Sequence, residues 1–145
     1  MKTDIIEDLL YQKSHSEVVQ FLSACCDSHI LHIFTFNYNW GNGFEAPNII
    51  IENPHCSLGT ALTLFYLADG YRYLTEKKTF LTNSDWLTFI SKLYHYIILN
   101  KFKNTAIAFS PPLSKVQAFK LRKILNEKEK VFLKSIEGVD YNITV

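Results

Sequence analysis

The nine residues Thr60-Ala-Leu-Thr-Leu-Phe-Tyr-Leu-Ala68 are apolar on every side of a helical projection. A helix built from them has to be buried all round, so the remaining elements must be arranged about it. It lies within Asn37–Arg72, which holds four of the five glycines, two of the four prolines and one of the two tryptophans. At 145 residues, with 48% hydrophobic and 20% charged side chains, the chain can enclose such a helix within one domain.

Helix signals follow in close order. Asp4 to Gln12 is amphipathic through Ile5, Ile6, Leu9 and Leu10. Ser14-His15-Ser16-Glu17 has the form of a capping box opening a helix from Ser16 to about Cys26. Asp27 caps a third helix to about Phe36. Gly41-Asn42-Gly43 then makes a tight loop, because glycine adopts positive φ without strain. Pro47 suits the first turn of a short helix that Asn53-Pro54 ends. Ser57 caps the central helix, which stops or bends at Asp69-Gly70. Tyr71 to Leu81 reads as an irregular connection. Asn83 or Ser84 opens a helix to about Asn100, with Lys101 and Lys103 favoured at its C-terminal end by the dipole. Ser110-Pro111-Pro112 resembles a helix start, giving a basic C-terminal helix over about 111–137, interrupted near Asn126, before a short tail from Asp140. No stretch alternates with a period of two. The expectation is an all-α fold: one domain over 1–145, a compact bundle of about six to seven helices with short loops and no significant sheet.

The net charge of +1 conceals an asymmetry. Residues 1–73 carry three basic and eight acidic side chains, giving −5, and residues 74–145 carry twelve and six, giving +6. Such polarity either steers a charged partner or lets the two halves complement each other. Three cysteines, two of them adjacent, do not form a secreted disulfide framework, and no signal peptide is visible. No apolar run approaches the roughly 20 residues of a membrane span, so a cytoplasmic protein without a membrane partner is expected.

Candidate chemistry is sparse. Cys25, His29 and His32, at i, i+4 and i+7, form an alternative metal set, to which His55 and Cys56 could add, but Asp27 breaks the helix they would share. No zinc motif is complete, and no cofactor is expected. A Cys–His pair at Cys56 would need a base from a facing element, since adjacent side chains diverge. Gly41-Asn-Gly43 lacks the third glycine and flanking strand of a dinucleotide fingerprint. Asn37, Asn39 and Asn42 suit local side-chain-to-backbone bonding. The lysines of the final helix are interleaved with Glu127 and Glu129, which argues against nucleic acid as a partner and for a solvated face. Tyr38, Trp40, Phe44, Tyr66, Tyr71 and Tyr73 are either core anchors or a recognition surface, and an aromatic patch would also permit a homodimer.

Tyr38-Asn39-Trp40, Gly43-Phe44-Glu45 with Pro47, Cys56-x-Leu58-Gly59-Thr60-Ala61-Leu62 and Phe65-Tyr66-Leu67-Ala68-Asp69-Gly70 together resemble the bacterial domain of unknown function 4274, over about residues 29–80. Members typically carry an acidic pair after the tryptophan, where this chain has Gly41-Asn42. The resemblance implies a family of small bacterial proteins and no established reaction, so no catalytic residue is carried over. The expected function is non-enzymatic: binding another protein, as an immunity-type protein that neutralises a cognate toxin by direct contact. Trp40, Asn42, Glu45, Glu52 and Asp69 are the candidate binding residues. The alternative is a small enzyme or metal protein using His55, Cys56 and Asp69 within 37–72.

Overall fold

A computed structural model of the chain describes residues 2–77 and 84–145. Among these the architecture is all-α, in the order α1 (Lys2–Tyr11), α2 (His15–Ala24), α3 (Ser28–Asn37), a 3-10 turn (Trp40–Asn42), α4 (Glu45–Glu52), α5 (Leu58–Leu67), α6 (Gly70–Glu76), α7 (Asp85–Ile98), α8 (Lys115–Ile124) and a 3-10 segment (Lys128–Leu133). None of these helices is long and apolar enough to cross a membrane.

The helix starts follow the sequence signals. The Ser14 hydroxyl accepts from Glu17 N while Glu17 reaches back to Ser14 N, completing the capping box. Asp27 accepts from the amides of His29 and Ile30 at the start of α3. Ser57 accepts from Thr60 N at the start of α5. Each such cap is worth about 1 kcal/mol.

α5 is the hub. Ala61, Leu62, Leu64 and Phe65 have no exposed surface, and α3, α6 and α7 pack around the helix. α1 lies on α3, and α2 on α4. A Cβ on Gly59 would stand 2.6 Å from the carbonyl oxygen of Ile107, so this face of α5 admits only a hydrogen where the 101–114 strap crosses. α5 ends at Asp69, a non-glycine residue in the left-handed region at φ 63°. α6 therefore leaves in a new direction. Gly70 is obligatory there, because a Cβ would fall 2.2 Å from the Phe65 ring.

Several expectations need correction. The connection expected from Tyr71 to Leu81 lies partly outside the described residues, and its described part continues α6 to Glu76. Residues 111–137 are not one basic helix. Ser110-Pro111-Pro112 ends an extended strap, and α8 starts instead at a second capping box, Ser114 with Gln117. α8 stops at Ile124, and just before the 3-10 segment the Asn126 side chain accepts from Glu129 N. Lys101 does follow the end of α7, where its backbone N–H donates to Tyr96 O at 3.0 Å, but its side chain reaches away from the helix end. Its ammonium donates to the carbonyl of Ile51 at 3.0 Å and lies 3.8 Å from the Tyr96 ring centroid.

The strap buries Phe102, Ile107 and Phe109. It is fastened by Leu58 N–H donating to Asn104 O at 2.8 Å, and by two isolated bridges, Ile107 with Val139 and Phe109 with Ile136. Nor are residues 140–145 a free tail. Asn142 Oδ1 meets His32 Nε2 at 2.8 Å, and Asn37 both donates to Ile143 O and accepts from Val145 N. Tyr141 stacks on His29 with centroids 4.1 Å apart.

Candidate functional site

The loop between α3 and α4 makes the surface of this fold distinctive. The Asn39 side chain accepts from Gly41 N, and Gly43 turns the chain at φ 91°. Tyr38 donates its hydroxyl to Gly43 O at 2.8 Å, closing the loop on itself. The loop's aromatic side chains then point back into the protein. Trp40 meets Tyr38, Phe44 and Phe89 edge-on at 5.3, 6.0 and 6.1 Å between centroids, and Phe44 tilts against Phe89 at 5.3 Å. The indole N–H of Trp40 is buried without a hydrogen-bond partner, so the ring is held by packing alone.

Three depressions adjoin this loop. The largest is an open cleft of about 760 Å³ between α2, α4 and α7. Its apolar surface comes from Phe44, Ile49, Pro54 and Phe89, and its polar rim from Glu45, Asn48, Glu52, Asp85 and Thr88. A hollow of about 250 Å³ lies behind Trp40 and Phe44, bounded by Leu67, Asp69, Arg72 and Trp86. A third, of about 290 Å³, runs past Asn42 toward Lys13 and His15.

The candidate binding residues are thereby divided. Glu45 and Glu52, two turns apart on the same face of α4, share the cleft; Trp40 and Asp69 share the small hollow; Asn42 stands in the third depression. Within the cleft the two carboxylates are differently held. Glu45 pairs with His15 Nε2 at 2.8 Å in an exposed contact. Glu52 is tied to Lys92 at 3.3 Å and Lys101 at 3.4 Å. A hydrogen bond from Tyr96, with those two ammonium groups, holds its carboxyl below the usual range. Lys92 also donates to Asn48 Oδ1, so α4 and α7 are linked across the cleft. Asp85 opens the first turn of α7, where a negative charge is favoured.

Asn48, Asp85, Thr88 and Phe89 escaped the sequence reading as site residues. Only Asp85, just after the capping Ser84, carried a local signal, and that signal concerned the helix start. Asn53 forms the cleft's buried back corner, where its amide donates to Leu22 O and Cys25 O, each at 2.8 Å, and its oxygen accepts from His55 N.

The residues named for the enzyme and metal alternatives are set apart from one another. Cys56 is buried, and desolvation pushes its thiol up to about 12, while its neighbour His55 is exposed. Asp69 sits on the α5–α6 turn, on the small hollow rather than beside Cys56. Cys25, His29 and His32 share no helix, because α2 ends at Ala24 with Cys25 as its cap and Asp27 starts α3. The Cys25 thiol turns to Asp27 O. His29 is engaged by Lys2 and Tyr141. His32, with no exposed surface, is bonded at both ring nitrogens, by Thr60 Oγ1 at 2.9 Å and by Asn142. Among the described residues no group of three or more His, Cys, Asp or Glu side chains is placed to hold a metal ion.

The second charge cluster is structural. Glu129, expected on a solvated face, is 4% exposed and receives the Lys77 ammonium, the Tyr94 hydroxyl at 2.6 Å and Asn126 N–H. Burial pushes its pKa up, but these donors outweigh it and hold the carboxyl below its ordinary value.

Comparison with known proteins agrees with the loop and α5 as the defining part of the chain. Neither a curated protein nor a solved structure gives a significant match. The family model described as "Domain of unknown function (DUF4274)" matches residues 26–98, half of the chain and all of the elements from α3 to α7, so the chain belongs to that family.

Proposed function

We propose that this chain is a protein-binding protein of the immunity type, which neutralises a cognate toxin by taking a segment of it into the α2–α4–α7 cleft. The observation that supports this reading is the cleft itself. At about 760 Å³ it has room for one or two large side chains, its exposed surface is mainly aromatic and aliphatic, and its polar groups stand at the rim. Interfaces concentrate their energy where an anchor side chain fills such a depression inside a polar rim. Glu52 is already neutralised by two lysines, whereas Glu45 and Asp85 stand exposed at the rim. The fitting occupant is therefore a segment presenting a large apolar or aromatic side chain with a basic neighbour. The −5 charge of the first half would draw such a partner in.

The test is co-expression with the products of adjacent genes, followed by calorimetric titration of any that bind. Thr88→Arg and Asn48→Trp fill the cleft from exposed or half-exposed positions and are expected to weaken binding at least about 100-fold, the loss typical of a central anchor. Glu45→Ala is expected to cost about 5-fold, and Asn42→Asp, outside the cleft, to change little. A partner that binds both cleft-filling variants as tightly as the native protein would refute the cleft as the interface.

A further inference from the structure

A surface helix turns its apolar stripe inward and its charges outward. α8 satisfies the first half of this rule and breaks the second. Leu121 and Leu125 face the core and are buried. On the opposite side Val116 and Phe119 are 77% and 54% exposed, and Ile124 on the flank is 49% exposed. Val116, Phe119 and Lys123 stand at i, i+3 and i+7, which aligns them along the outer crest of the helix. Lys115, Lys120 and Arg122 border that crest, and no acidic residue occurs between Ser114 and Asn126. The Lys123 ammonium lies 4.5 Å from the Phe119 ring centroid, so charge and ring form one unit.

Four cations without a counter-charge on the helix call for an anionic occupant. A convex apolar crest calls for one that yields, because the crest offers a ridge rather than a groove. Nucleic acid would satisfy the cations, but its phosphate backbone offers Val116 and Phe119 nothing. Protein interfaces favour arginine and are depleted in lysine, yet three of these four cations are lysines. Lysine suits a bilayer surface, where its stem lies along apolar material and its ammonium stays in water.

We propose that α8 is a peripheral membrane-docking helix for anionic phospholipid. Val116 and Phe119 enter the boundary between headgroups and acyl chains, while Lys115, Lys120, Arg122 and Lys123 rest among the phosphates. Attachment of this kind needs no spanning helix, and a single short helix makes it modest and reversible. α8 packs chiefly on α6 and the 3-10 segment, whereas the cleft belongs to α2, α4 and α7.

The experiment is co-sedimentation of the full chain with sucrose-loaded vesicles, either of phosphatidylcholine alone or of equal parts phosphatidylcholine and phosphatidylglycerol. The native protein is expected to sediment with the anionic vesicles only, and less as salt is raised. Lys120→Gln with Lys123→Gln should lower the affinity about 25-fold, at about five-fold for each charge. Val116→Ser with Phe119→Ser should lower it at least about 10-fold. All four positions are exposed, so unchanged thermal melting of both double variants serves as the folding control. Equal sedimentation with neutral vesicles, or no loss in the serine variant, would overturn the proposal. So would tighter binding at the same salt to duplex DNA or to polyglutamate, which would assign α8 to a nucleic acid or an acidic protein.

Discussion

Replacing Asn53 by alanine tests whether the back of the cleft is held by one side chain. Asn53 is 5% exposed and makes three side-chain hydrogen bonds, two of which tie the end of α4 to the end of α2 while the third holds the local turn at His55. Asn53→Ala removes all three and leaves the carbonyls of Leu22 and Cys25 without that donor. At about 0.5–1.5 kcal/mol for each bond, with part of the desolvation cost of two carbonyls added, the expected loss is about 2–5 kcal/mol. For a domain of this size that lowers Tm by roughly 6–20 °C. Asn53→Asp has nearly the same shape and still accepts from His55 N–H, but it points an acceptor at two carbonyls. Burial and those carbonyls raise the pKa of the introduced carboxyl above its unfolded value. Its penalty is therefore full above the folded pKa and shrinks as pH falls through it, because the protonated group can donate again. Chemical denaturation of both variants at pH 7 and pH 5 gives the answer. An aspartate variant as stable as the native protein at pH 7, or one that gains nothing relative to it at pH 5, would refute the hydrogen-bond assignment.

Three further outcomes are expected. Burial lowers the His32 pKa, against smaller opposing effects from Asn142 and the Asp140 charge, so its contribution to stability is complete above 6.5 and falls as pH drops through the folded value; an imidazole NMR titration with a midpoint at or above 6.5 would contradict this. In the native state a thiol reagent should modify Cys26 quickly and spare Cys25 and Cys56 until unfolding, as mass spectrometry of the labelled peptides will show. Trp40→Phe keeps an aromatic ring and removes a buried N–H that has no acceptor, so it should cost less than about 1.5 kcal/mol, against about 3–5 for Trp40→Ala; equal melting temperatures for the two would show that the ring is not packed as described.

What could be read from the sequence is what is encoded locally. Ser14 with Glu17, Asp27 and Ser57 announce helix starts because a cap and its amides lie within three residues of one another. The burial of α5 follows from its composition alone. The strap defeated the same logic. Ser110-Pro111-Pro112 satisfies the local rule for a helix start, but Phe102, Ile107 and Phe109 gain more by crossing the Gly59 face of α5, a partner more than 40 residues away in sequence. Glu129 misled for the same reason: its neighbours are lysines, but Lys77 and Tyr94, distant in the chain, determine its surroundings. Trp40 and Glu45 lie five positions apart and could be named from one stretch, although the structure divides them between the small hollow and the cleft. The cleft wall that α7 supplies could not be named in that way, because nothing near Thr88 or Phe89 in the sequence records what α4 brings to face them.

The fastening of residues 140–145 onto α3 sets an order on synthesis. Asn142 reaches His32 across 110 positions, and Ile143 reaches Asn37 across 106. At about 5–20 residues per second, a ribosome completes α3 roughly 5–20 s before it supplies these partners. During that interval the nascent chain can assemble α1 to α5 but must leave His32 Nε2 and the Asn37 side-chain oxygen to water. The family segment therefore emerges with one seam open, which later residues of the same chain close.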